Sequence, residues 1–144
     1  CELLMTLELA AYASPEWIKQ RSRVTLRTQL LSQIRAEDLL QHTTLPDAWA
    51  MWWHEMDVQG PTAQGSRYDL MFMAMNAAAA GLGVALLPDF LVAPMIASRR
   101  LQAVGDRKIT VPGGYFLSKS PLLRNESAFN EFRAWLLRQM PHGL

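Results

Sequence analysis

Two short polar stretches hold the residues best suited to binding chemistry. In "GSRYD" (65–69), Ser66, Arg67 and Tyr68 bring together a hydroxyl, a planar fork of N–H donors and a phenol. In "HTTLPD" (42–47), Thr43 and Thr44 add two further hydroxyls. Each stretch sits between a strand-like end and the start of a helix-like run. A helix start offers free backbone N–H groups and the positive end of the peptide dipole. Ligands of open α/β sheets settle beyond the carboxyl ends of strands. Both loops therefore suit a pocket for a small polar or anionic ligand, with capping and turn formation as the plainer alternative.

Other candidates are weaker. "GLG" at 81–83 has the wrong order for a phosphate loop, because the glycines follow a helix-like run and precede a strand-like one. The helix end facing them would repel anions, so the pair reads as a helix C-cap and a close helix–strand joint. The histidines, His42, His54 and His142, lack metal-ligand spacing, and His54-Glu55 has no second histidine four residues on. There is no Gly-x-Ser-x-Gly elbow. The carboxylates Glu37, Asp38, Asp47, Glu55 and Asp57 read as caps or solvated faces. Trp49, Trp52, Trp53 and Met56 recur at i, i+3, i+4 and i+7, which is a helix face turned to a core rather than a stacking platform for bases. No metal, cofactor or catalysis is expected.

The elements that must place these residues alternate. Residues 7–13, "LELAAYA", suit a strand buried on both faces. Ser14-Pro15 then has the form of a helix start, followed by a short helix over "EWIKQ". Residues 20–36 show no clear period, and "AEDLLQ" (36–41) predicts a helical turn. Asp47 is placed to cap a helix running to about Met56. After a loop and a short strand, Asp69 is placed to cap an apolar helix over 70–80, which Gly81 ends. "VALLP" (84–88) predicts a strand. The helix over "DFLVAPMIASRRL" is expected to be interrupted by Pro94, and "ITVPGGYFLSK" predicts one or two strands after "GDRK". Asn125 caps a final helix with Phe129, Phe132, Leu136 and Met140 on one face, closed by Pro141. This order predicts an α/β sandwich with helices covering a mostly parallel sheet.

The 144 residues amount to about one domain, half of them hydrophobic and 19% charged, so a packed core is expected. A net charge of +1 does not announce nucleic-acid binding. The single cysteine, Cys1, excludes an internal disulfide and a thiolate metal cluster. No apolar run reaches the roughly 18 residues of a membrane span, and a cytoplasmic protein is expected. The start at Cys1, close to a strand-like pattern, suggests a fragment whose N-terminal part is missing.

The order "GSRYDLMFMAMNAAAAGLGVALLPDFLV", "IASRRL", "GGYFL", "SAFNEFRAWLL", preceded by "LELAAYASPEWI", resembles the effector-binding domain of the LysR-type transcriptional regulators. It is most similar to the branch that includes the glycine-cleavage activator and the β-lactamase inducer. The resemblance implies a type 2 periplasmic-binding-protein-like fold with an effector cleft between two α/β subdomains. Residues 1–13 would end an incomplete first subdomain, 14–111 would form the second, and 112–144 would return to the first. Thr43, Thr44, Ser66, Arg67 and Tyr68 would face the cleft, with Arg67 on an anionic group. Tyr115 would match a tyrosine on the return strand that reaches the effector. "SKSPLLRNES" departs from the "YP" that often follows that strand. The implied partners are a small effector (an amino acid, a carboxylate or a cell-wall fragment), a homodimer or tetramer, and DNA through an absent N-terminal domain. The rivals are a transport solute-binding protein of the same fold, or a small α/β enzyme.

Overall fold

The computed structural model describes residues 1–22 and 27–140. β1 (Glu2–Ala13) begins five residues before the apolar run that predicts it. Ser14 ends it and caps α1 (Pro15–Arg21): its hydroxyl accepts from Trp17 N at 3.1 Å, with Pro15 at the first helical position. Part of the unpatterned 20–36 stretch, 23–26, lies outside the described residues. α2 (Arg27–Leu31) follows, then a 3₁₀ turn at Ala36–Asp38. The expected helical turn stops there, because Leu39–His42 forms β2. Leu39 and Leu40 are buried in the middle of the sheet, and that burial overrides local preference.

α3 (Ala48–Glu55) starts where expected, although the Asp47 side chain makes no capping bond. β3 is two residues long (Arg67–Tyr68), and α4 (Met71–Ala79) and β4 (Val84–Leu87) follow. α5 (Asp89–Ala97) runs through Pro94 without stopping. In so short a helix the missing N–H removes a single ladder bond. β5 (Gln102–Leu117) is one continuous strand that takes in "GDRK" and Pro112. Asn125 caps α6 (Glu126–Gln139) by accepting from Ala128 N at 3.0 Å. Pro141 lies outside the described residues.

The strands are ordered β3-β2-β4-β1-β5. β2 is parallel to both β3 and β4, but β1 runs antiparallel to β4, with Ala10 opposite Leu87 and Tyr12 opposite Ala85. The sheet is therefore mixed rather than mostly parallel. β2, β3 and β4 are joined in turn through α3 and α4, the crossover connections that parallel strands need. β4 is buried along its whole length, as a strand covered on both faces must be.

The chain divides into two compact units, Glu8–Val111 and the pair of segments Cys1–Leu7 and Pro112–Leu144. The core of the larger unit joins Tyr12, Leu40, Ala74, Met75, Ala78, Leu87 and Val92. Tyr12 donates to Asp89 Oδ1 at 2.6 Å, and Lys108 donates to Asp89 Oδ2, which fastens the start of α5 to β1 and β5. In the smaller unit, Arg133 of α6 grips Glu2 with two parallel bonds of 2.6 and 2.5 Å. The half-buried side of α6 is Phe129, Arg133 and Leu136. Phe132, expected on that side, is instead exposed beside Trp135, with ring centroids 5.8 Å apart.

Candidate functional site

β2 and β3 finish side by side. Gln41 stands opposite Arg67, and His42 opposite Tyr68. Gln41 N donates to Ser66 O at 2.9 Å, and Thr43 N donates to Tyr68 O at 3.0 Å. Thr43 and Thr44 thus follow the carboxyl end of β2, and Asp69 that of β3, whereas Gly65 and Ser66 precede β3 and Arg67 and Tyr68 form it. Gly65 permits this approach. A Cβ there would lie 2.4 Å from Leu39 O and 2.7 Å from Glu37 O, closer than any side chain can come. The Gln41 amide donates to Gly65 O at 2.8 Å and locks the segment in place.

Within this frame each expected residue has a distinct setting. Thr43 Oγ1 donates to Asp69 Oδ1 at 2.9 Å. Asp69 therefore does not cap α4; Leu70 holds the N-cap position with no side-chain cap bond. The free N–H groups at the start of α4 have no capping side chain. Thr44 Oγ1 lies 2.8 Å from His42 Nδ1. Ser66 and Arg67 are exposed, and neither side chain has a polar partner among the described residues. Tyr68 is half-buried, with its ring packed against the core. These five residues stand together in the larger unit. Tyr115 is in the smaller unit, on β5, and is 42% exposed.

Beside the strand ends is a cavity of about 650 Å³, bounded by the end of β2, by α3 and by the loop over 58–63. Arg67 and Thr43 line it; Thr44, Ser66 and Tyr68 do not. Trp49 and Trp53 form its apolar wall. Their indole N–H groups are already committed, Trp49 to Leu40 O at 2.8 Å and Trp53 to Pro61 O at 3.2 Å. The tryptophan stripe is thus a core face, as its spacing predicts, but one whose edge also faces a cavity.

Sequence reasoning missed Gln41, His42 and the pairing role of Asp69. Thr43 and Asp69 are 26 positions apart, and no local pattern connects them. Gln41 and His42 carry no local strand signal, because "LLQH" does not alternate in polarity or in burial. Asp38, expected as a cap or on a solvated face, is a cap. It is buried rather than solvated, paired with Arg21 at 2.6 Å and accepting from Arg35 N at 2.9 Å.

The "GLG" joint is structural. Leu82 N donates to Ala77 O and Gly81 N to Ala78 O, the paired bonds that close a helix through a left-handed residue, here Gly81 at φ +84°. A Cβ on Gly83 would lie 2.2 Å from Asp38 O, so that glycine lets β4 lie close to β2. Among the described residues no cluster of His, Cys, Asp and Glu could hold a metal ion.

The LysR substrate binding domain model matches residues 1–141. The HTH-type transcriptional activator AmpR of Pseudomonas aeruginosa is 31% identical over 106 residues, covering 69% of this chain and 36% of that protein. The solved effector domain of the transcriptional regulator AmpR of P. aeruginosa superposes with a TM-score of 0.74 at 25% identity, over 95% of this chain and 63% of that one. The AmpR effector binding domain from Citrobacter freundii gives 0.71 at 23% identity, over 95% and 65%, and bears on the fold alone. The chain thus spans about a third of its curated relative and under two thirds of these solved domains.

Proposed function

The chain belongs to the LysR substrate-binding domain family, and on that premise we propose that it is the effector-sensing part of a transcriptional regulator and carries out no catalysis. The effector is a small polar or anionic molecule held at the carboxyl ends of β2 and β3. Arg67 pairs with its anionic group, while Thr44, Ser66 and Tyr68 supply hydroxyl contacts. Thr43, whose hydroxyl is engaged with Asp69, orients the loop. The family plan puts residues 1–13 and 112–144 in one subdomain and 14–111 in the other, whereas the compact units divide β1 between Leu7 and Glu8. Effector binding shifts the population of subdomain arrangements and is passed on to DNA through an N-terminal domain of a cytoplasmic homodimer or tetramer.

One observation carries this reading. Arg67 stands exposed, without a counter-ion among the described residues, in the two-residue strand β3, three residues before the uncapped start of α4. The test is a thermal-shift screen against amino acids, small carboxylates and cell-wall fragments, with Arg67→Ala as control. The expected result is a stabilising ligand whose effect disappears in the variant. Stabilisation that survives Arg67→Ala would overturn the assignment of Arg67.

A further inference from the structure

α4 and α5 end through the same bonds but on different residues. At the end of α5, Arg100 N donates to Met95 O at 2.8 Å and Arg99 N to Ile96 O at 3.0 Å, the paired bonds that Leu82 and Gly81 make in α4. The left-handed position is Gly81 in α4 but Arg99 in α5, at φ +58°. Glycine takes that conformation freely, whereas an arginine is held there against a steric preference. Residues so held gather at functional sites. The carbonyls of Pro94, Met95 and Ile96 are already taken by backbone N–H groups, so this helix end does not need the guanidinium as a cap. The Arg99 side chain is exposed and has no ion-pair or hydrogen-bonding partner among the described residues. It lines a groove of about 630 Å³ between the end of β1, the end of α5 and the start of β5. Tyr12 and Leu101 form the buried floor, and the Tyr12 hydroxyl is committed to Asp89. The accessible walls are Ile96, 40% exposed, and the half-buried Pro15 and Ala103. Gln102 is exposed at the rim, and Arg99 is the one charged residue in the lining. The groove lies wholly in the larger unit and shares no residue with the cavity beside the strand ends.

We propose that this groove is a second binding site, for an aliphatic monocarboxylate of the medium-chain fatty acid class. The carboxylate pairs with Arg99 and accepts from the Gln102 amide, and the chain lies along Ile96, Pro15 and Ala103. A guanidinium binds a carboxylate through two parallel N–H bonds, and no anion in the lining competes for it. The walls are aliphatic, so a hydrocarbon chain displaces water from them, whereas a small inorganic anion would leave them wet. One cation matches one carboxylate. The volume is within the roughly 300–1,000 Å³ usual for small-molecule sites. The site does not depend on Arg67 being a ligand residue.

The test is calorimetric titration of the chain with sodium decanoate below its micelle concentration, with acetate and decanol as the head and the tail alone. Decanoate should bind saturably, and each part alone roughly 10- to 100-fold more weakly. Arg99→Gly removes the cation and relieves the backbone at once, so it should melt no lower than the parent while reducing decanoate to the affinity of decanol. Arg99→Lys, which keeps the charge, should retain more of the binding than Arg99→Gly. Ile96→Asp, at an exposed position, should abolish binding by setting an anion in the groove. Arg67→Ala should leave decanoate binding unchanged, which separates this site from the strand-end cluster. The inference is overturned if decanoate does not bind saturably, if acetate binds as tightly, or if Arg99→Gly and Ile96→Asp leave its affinity unchanged. Loss of decanoate binding in Arg67→Ala would also overturn it, by placing the ligand at the strand ends.

Discussion

The contacts of single residues lead to three expectations. Tyr12 is raised above the ordinary tyrosine range, first by burial and then by its bond to Asp89. A raised folded-state value means that the neutral phenol stabilises the fold below the ordinary tyrosine pKa, and that this contribution is lost as pH climbs past it. Lys108, raised by its bond to Asp89, behaves likewise. Burial pushes Asp89 up, but the bonds from Lys108 and Tyr12 outweigh it and leave it below the usual carboxylate range. Its contribution is present above its unfolded pKa and is lost as pH falls below that value. Chemical denaturation across pH should therefore show a plateau through neutrality, an acid limb below about pH 4 and an alkaline limb above about pH 10. Asp89→Asn should flatten the acid limb, and Tyr12→Phe should reduce the alkaline one. The tryptophans offer a second comparison. Trp49 and Trp52 are both buried, but Trp49 N–H is bonded to Leu40 O whereas Trp52 Nε1 has no partner among the described residues. Replacing either with Phe removes similar volume, so Trp49→Phe should cost about 1 kcal/mol more than Trp52→Phe, through the carbonyl it strands. Urea midpoints of equal value for the two variants would contradict this. Third, Gly83→Ala should lower stability by about 2 kcal/mol, because its methyl meets the Asp38 carbonyl rather than a side chain that can move.

At the scale of elements, most helices were legible and two strands were not. Ser14-Pro15, Asn125 and Gly81 mark helix ends by side-chain and backbone chemistry that acts within a few residues. Their elements appear where the sequence placed them. β2 was hidden because four residues containing two leucines fit a helical turn as well as a strand, and only the neighbouring strands decide between them. The unbroken course of β5 was hidden for a related reason: Gly105, Asp106 and Pro112 signal turns locally, but the strand passes through all three. The caps are the elements most easily tested. Asn125→Ala should fray the start of α6 at a cost of about 1 kcal/mol, visible as faster amide exchange in its first turn. Gly81→Ala should cost about 1 kcal/mol through its left-handed backbone. If either variant matches the parent in stability, the capping account of that helix end is wrong.

Across the whole molecule, the order of motifs carried more information than any single residue. Apolar helix, "GLGVALLP", short helix, return strand and terminal helix together resembled one family, and the family match over residues 1–141 agrees. The polar cluster was half legible. Its hydroxyls and Arg67 could be picked out by type and position, but Gln41, Asp47 and Asp69 acquire their settings only when β2, α3 and β3 come together. Apolar surface is the other property of this scale. Phe116, Leu122, Phe132 and Trp135 are all exposed in the smaller unit. Exposed apolar side chains of this size favour association. Sedimentation should show a concentration-dependent dimer or larger species, weakened by Trp135→Lys, and a monodisperse monomer would contradict this.

The central claim is that the strand-end cluster around Arg67 is where the effector binds. The most direct measurement is a backbone amide shift map of the chain, titrated with the stabilising ligand from the effector screen. The account predicts shifts concentrated at residues 41–47 and 65–72, and their disappearance in Arg67→Ala. Shifts that fall elsewhere, or that persist unchanged in the variant, would contradict it.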